Sequence, residues 1–112
     1  MRTIKNLEDE QTLEELWNKP NVIIFKNSMT CGISRRAWGQ LEKYAEDCDA
    51  PVEIFMVDVN SSRALSKKIE SKTGIHHESP QAICLKNGKV VWHASHYSIT
   101  KEDLKKAVEN QD

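Results

Sequence analysis

The residues of this chain best suited to chemistry are Cys31-Gly32-Ile33-Ser34, which fall where a buried strand gives way to an amphipathic helix. Free N–H groups and the positive dipole end at a helix N-terminus stabilise a thiolate, the form of cysteine that attacks disulfides and electrophiles. Arg35 and Arg36 follow within the first turns and add positive charge, so a lowered pKa is expected at Cys31. Ser28, Thr30, Gly32 and Ser34 around it are small and polar. That setting suits an exposed turn better than the core in which free cysteines are commonly buried. A resolving thiol would stand three residues on, and Ser34 holds that position. Cys48 lies roughly 25 Å down the helix at about 1.5 Å per residue. Four strand residues at about 3.3 Å each carry Cys84 roughly 13 Å from Pro80. Both sit on apolar stripes and read as core thiols. A single working thiol can open a disulfide, but an outside thiol must complete the cycle.

The elements that must position Cys31 come in a βα alternation. Residues 10 to 18 read as a helix, with Leu13, Leu16 and Trp17 on one face and Thr12 and Glu15 at capping-box spacing. Val22-Ile23-Ile24-Phe25 is a continuous apolar run, the pattern of a strand buried on both faces, and the polar residues Lys26 to Thr30 break it. Ile33, Ala37, Leu41, Tyr44 and Cys48 then form one helical stripe, stopped by Asp49-Ala50-Pro51. Residues 52 to 59 are a second central strand. Asn60 and Ser61-Ser62 can cap a helix carrying Ala64, Leu65 and Ile69 that ends near Gly74. Ala82 to Lys86 and Lys89 to His93 flank Asn87-Gly88, a strong type I′ hairpin signal. Thr100 and Asp103 resemble the capped start of a last helix with Leu104, Ala107 and Val108 facing inward. The order α-β-α-β-α-β-β-α is the thioredoxin-like plan: an α/β fold with a four-stranded mixed sheet flanked by helices on both faces.

Composition narrows the remaining choices. With 112 residues and 38% apolar content, the expectation is one domain over 1–112 with one modest core. The formal net charge of −1, with acids and bases mixed throughout, gives no basic face for nucleic acid or anionic membrane. Met1 to Glu10 carries acidic residues and no apolar run of signal or membrane-span type, so a cytoplasmic location is expected. Three widely spaced cysteines argue against a disulfide framework. His76-His77, His93 and His96 show no metal-ligand spacing and read as surface and loop histidines. The Lys67-Lys68 helix reads as a solvated face.

Thr30-Cys31-Gly32-Ile33-Ser34 after the apolar strand, Ser79-Pro80-Gln81, and Trp92-His93-Ala94-Ser95-His96 before the last helix together resemble the monothiol bacilliredoxins of low-GC Gram-positive bacteria. The resemblance runs over nearly the whole chain. It implies a thiol oxidoreductase that removes bacillithiol from S-bacillithiolated client proteins, with Cys31 taking the bacillithiol onto itself. It further implies a thiol-binding groove bordered by Thr30, Gly32, Ile33, Ser34, Ser79 and Pro80. Bacillithiol would be the low-molecular-weight thiol co-substrate, with no tightly bound cofactor, no metal, and a monomer working alone. In the thioredoxin plan a cis proline faces the nucleophile, which raises the expectation of a cis Ser79–Pro80 bond above the base rate. Guanidinium pairs well with carboxylate, so Arg35 or Arg36 is expected to stabilise the thiolate or meet the malate carboxylates of bacillithiol.

Two departures from thioredoxins weigh against a general protein reductase: Phe25 stands where they keep a buried acid, and Gly32 where they often have proline. Cys-Gly-Ile-Ser is also one residue from the Cys-Gly-Phe-Ser motif of monothiol glutaredoxins, which hold a [2Fe–2S] cluster between protomers. Against that rival, Ala94-Ser95-His96-Tyr97 replaces their Gly-Gly-Asp-like turn. A third reading, a thioredoxin-fold binding module without turnover, predicts a Cys31 that alkylates no faster than an ordinary thiol.

Overall fold

The computed structural model describes residues 1–28 and 32–109. Its elements run β1 (Ile4–Asn6), α1 (Glu10–Leu16), β2 (Asn21–Asn27), α2 (Gly32–Asp47), β3 (Glu53–Asp58), α3 (Arg63–Thr73), β4 (Gln81–Lys86), β5 (Lys89–Ser95) and α4 (Lys101–Glu109). A single 3-10 turn, His96–Ser98, precedes α4. The sheet order is β1-β3-β2-β4-β5. β1 and β2 pair parallel to β3, whereas β4 is antiparallel to both β2 and β5.

The expected thioredoxin-like α/β architecture is therefore present, with five strands in place of four. The added strand, β1, has three residues with burial falling off from Ile4, and its register pairs Ile4 with Ile54. So short a segment carries no period-2 pattern of its own; pairing with β3 makes it a strand. Lys5 on it ion-pairs with Glu53 at 3.0 Å, and a short charged strand suits the edge of a sheet.

β2 is the central strand, and its alternation splits the core in two. Val22 and Ile24 join Leu13, Leu16, Leu65 and Ile69 in the layer under α1 and α3. Ile23 and Phe25 join Leu41, Tyr44, Leu104 and Val108 in the layer under α2 and α4. Residues buried on both faces of one strand need helices on both sides, which explains the continuous apolar run. Lys26 and Asn27 do not end the strand. Lys26 pairs in register with Val57 and Gln81, and it is fully buried.

Local signals account for most helix and turn boundaries. The cap of α1 is Asp9, whose carboxylate accepts the Thr12 N–H at 2.8 Å, so the Thr12/Glu15 spacing is not the capping pair. That bond holds the Asp9 carboxyl below its ordinary pKa. Thr100 Oγ1 accepts the Asp103 N–H at 3.2 Å and caps α4. Gly74 ends α3 in the left-handed region. No described helix is long and apolar enough to cross a membrane.

The hairpin turn takes φ 53° at Asn87 and 79° at Gly88, the two positive values that a type I′ turn requires. A Cβ added at Gly88 would lie 2.6 Å from the Trp17 carbonyl oxygen. Backbone strain and this clash act together, so Gly88→Ala is expected to cost about 2 kcal/mol or more. Urea denaturation with an unchanged m-value is the check.

Candidate functional site

The chain leaves β2 at Asn27 and enters α2 at Gly32, and two hydrogen bonds hold Ser28 at the end of β2. Ser34 Oγ accepts the Ser28 N–H at 3.3 Å, and Asn60 Nδ2 donates to Ser28 Oγ at 3.3 Å. Asn60 is itself held by its N–H, which donates to Asp58 Oδ1 at 3.0 Å, while the Val59 N–H donates to the Asn27 carbonyl at 2.9 Å. The C-terminal end of β3 is thus bonded to Asn27 and Ser28 at the end of β2. Cys31 and Thr30 themselves lie outside the described residues.

Ser34 is fully buried, and its hydroxyl accepts the Ser28 N–H at the position where a resolving thiol would stand. Gly32 is exposed and Ile33 half-buried at the start of α2. Arg35 and Arg36 are both exposed on its first turns, and the Arg36 guanidinium lies 5.6 Å from the centre of the Tyr97 ring.

The second wall comes from β4. The Ser79–Pro80 bond is cis. Because Gln81 pairs with Lys26, Pro80 sits one register step further on, at the end of β2 from which the Ser28–Ser34 turn departs. The Pro80 carbonyl accepts the His96 N–H at 3.0 Å, which ties the His96–Ser98 turn, and with it Tyr97, to the same end of the sheet. Three segments named from sequence therefore converge: the β2–α2 turn, Ser79-Pro80, and the residues before α4. Among the described residues, three buried side-chain atoms have no hydrogen-bond partner: Ser79 Oγ and Gln81 Oε1, which flank Pro80, and Lys86 Nζ at the other end of β4. Buried polar atoms are ordinarily paired, so the two beside Pro80 mark a place where a ligand's polar groups would be welcome.

The other two cysteines are free and buried, as their apolar stripes require. Burial pushes the Cys84 thiol up to about 11. Cys48 Sγ donates to Tyr44 Oη at 3.3 Å. Brief treatment of the native protein with N-ethylmaleimide at neutral pH is expected to add one adduct per chain, on Cys31. Two or three adducts at comparable rates would show that Cys48 or Cys84 is accessible.

One cluster was not legible as a site. Lys26 Nζ donates to the Ser66 carbonyl at 3.2 Å and meets His77 Nδ1 at 3.2 Å, and Ser66 Oγ lies 3.1 Å from the same nitrogen. Burial pulls the Lys26 ammonium down to about 8, opposed by the charge of Glu70. Burial and then the Lys26 charge also push His77 below its ordinary value. His77 is thus a half-buried loop histidine tied to the core, not a plain surface one. The signal available in the sequence was a lysine at an even position of a strand whose even positions all face α1 and α3.

Comparison with known proteins bears on the fold and the family. Residues 2–104 match the family model described as monothiol bacilliredoxin BrxC. A solved structure of a candidate oxidoreductase with a thioredoxin fold is 33% identical, with a TM-score of 0.88, covering 95% of this chain and 94% of that one. The reduced thioredoxin pre-protein of Schistosoma mansoni is 24% identical, with a TM-score of 0.73 and coverage of 94% and 97%. A thioredoxin mutant from Halobacterium salinarum is 17% identical, with a TM-score of 0.73 and coverage of 94% and 87%. The two thioredoxins speak for the fold alone, whereas the family match, joined to a cis-proline wall and a one-thiol motif, shows that this chain belongs to the monothiol bacilliredoxin family of thioredoxin-like oxidoreductases.

Proposed function

We propose that the protein removes bacillithiol from S-bacillithiolated clients, with Cys31 as the acceptor thiol. The observation that carries this reading is the one-thiol motif in a family member, with the buried Ser34 hydroxyl engaged where a second thiol would act. In the first step the Cys31 thiolate attacks the bacillithiol sulfur of the mixed disulfide. The client–bacillithiol S–S bond breaks, the client leaves as a thiolate that takes up a proton, and Cys31 carries the bacillithiol. A second bacillithiol, as its thiolate, then attacks that adduct, releasing bacillithiol disulfide and restoring the Cys31 thiolate. The client's mixed disulfide is reduced to a thiol while the incoming bacillithiol is oxidised into bacillithiol disulfide, so electrons balance without a bound cofactor.

The α2 N-terminus, with Arg35 and Arg36 on its first turns, supplies the positive field that favours a thiolate over a thiol. Thr30, Gly32, Ile33 and Ser79-Pro80 border the groove, with the Ser79 hydroxyl free to bond the bound thiol. Working as a monomer in the cytoplasm, where clients and the thiol co-substrate meet, completes the proposal.

The test mixes reduced protein with a purified S-bacillithiolated client and follows the intact masses of both. Movement of the adduct from client to the bacilliredoxin supports the reading. An adduct that stays on the client, while the protein is folded and Cys31 is reduced, overturns it.

A further inference from the structure

A cavity of about 350 Å³ opens between α3 and the loop that leads to Pro80. Asn60 stands at its lining, and through Ser28 it is bonded to the turn that brackets Cys31, three residues before and three after. Arg63 and Lys67, one helical turn apart, share the lining from α3. Ser66 and His77 line it where they cover the buried Lys26 ammonium.

The charges of α3 are divided in an informative way. Lys68 and Lys72 are satisfied by Glu10 and Glu14 of α1, at 3.3 and 2.9 Å. Arg63 and Lys67, the two that line the cavity, have no ion-pair partner among the described residues. The one carboxylate in the lining, Glu70, accepts the His77 N–H at 2.9 Å and meets His76 Nδ1 at 3.4 Å; it stays ionised, and the charges of Arg63, Lys67 and the Lys26 ammonium outnumber it. Two like charges at i, i+4 repel each other, and a buried ammonium beneath adds to the same potential. Such a cavity is suited to a small anion with more than one carboxylate, which would bridge Arg63 and Lys67 and accept from Asn60.

We infer that this cavity holds the dicarboxylate end of the low-molecular-weight thiol while its sulfur is engaged at Cys31. The inference rests on the bacillithiol reading above and names, for the malate carboxylates, Arg63 and Lys67 in place of Arg35 or Arg36. All four cations are exposed; what separates them is that the Arg36 guanidinium lies over the Tyr97 ring, whereas Arg63 and Lys67 share one concave lining with Asn60.

L-malate serves as the probe, with the neutral diamide malamide as its control, and backbone amide shifts of the full chain as the readout. Malate is expected to move the amides of Asn60, Arg63, Ser66, Lys67 and His77 saturably, and malamide to leave them in place. The double variant Arg63→Gln/Lys67→Gln should weaken malate binding about tenfold. Malate shifts centred on Arg35 and Arg36, or an unchanged affinity in the double variant, would overturn the assignment.

A second readout separates this inference from the function it rests on. The double variant is expected to take bacillithiol from a client about tenfold more slowly than wild type at low substrate, while taking a 2-mercaptoethanol adduct at the wild-type rate. Equal slowing on both adducts would mean that the cavity acts on Cys31 or on the client and not on the carboxylates. If wild type takes no bacillithiol while malate still binds the cavity, the function fails and the anion site stands.

Discussion

Cys31→Ser is expected to reduce thiol transfer by about three orders of magnitude or more, to the level of the uncatalysed exchange. A serine hydroxyl is not ionised near neutral pH, and its oxygen forms no disulfide, so neither the attack nor the adduct is available. Ser34 offers no rescue, because it is buried and its hydroxyl is engaged with the Ser28 N–H. Cys48 and Cys84 are buried in the layer under α2 and α4. The measurement is adduct transfer by intact mass for wild type and variant, with a thermal melt alongside. A variant that melts as wild type does but takes no bacillithiol assigns the step to Cys31. Residual transfer above about a tenth of the wild-type rate would show that another thiol can act, and the one-thiol mechanism would have to be abandoned.

The second large effect is on stability and concerns Lys26. Burial draws its ammonium down to about 8, well below the 10.5 of an ordinary lysine. Between those values the unfolded chain binds the proton and the folded chain does not. Stability therefore rises with pH across this window, and below about pH 8 the folded state bears the full cost of a buried charge. The shift corresponds to about 3 kcal/mol.

Lys26→Met removes the titration while keeping the volume. The stability difference between wild type and variant is expected to move by about 3 kcal/mol in favour of wild type between pH 8 and 10.5. Tyr44, which burial and the Cys48 thiol raise, is common to both proteins and drops out of the difference. Urea denaturation of both proteins at several pH values reads it directly. Parallel stability curves would mean that Lys26 stays hydrated or charged throughout, and the Lys26–His77–Ser66 network would lose its energetic role.

The two predictions sit on opposite faces of β2. Phe25 points toward α2, where it packs at 6.1 Å centroid distance from Trp38, and Lys26 points toward α3. Thioredoxins keep a buried acid where Phe25 stands; here the buried ionisable group is one residue later, on the other side of the sheet. It lies beneath Ser66 and His77, which line the cavity with Arg63 and Lys67, instead of facing α2.

What the sequence determined by itself were the features set by local chemistry. The Asn87-Gly88 turn follows from residues that accept positive φ, and both take it. The stripe of Ala37, Leu41 and Tyr44 yields a long helix because its period is 3.6, and all three are buried. The continuous run of Val22 to Phe25 demands cover on both faces, and finds it. The strand-to-helix junction was legible for the same reason, since it is a local event: β2 ends at Asn27 and α2 begins at Gly32.

Tertiary structure alone decided the rest. β1 is a strand because Ile54 to Met56 offer it a parallel partner. Lys26, polar by type, looks like a strand end until Val57 and Gln81 pair with it and Ser66 and His77 satisfy its ammonium. Asn60, Arg63 and Lys67 are surface residues in one dimension. They become a candidate carboxylate site only because β3 ends beside Ser28, to which Asn60 is bonded, and α3 shares one cavity with His77 of the loop before Pro80. Contacts between residues more than 30 positions apart, such as Asn60 with Ser28, have no local signal; the free energy that makes them comes from closing the sheet.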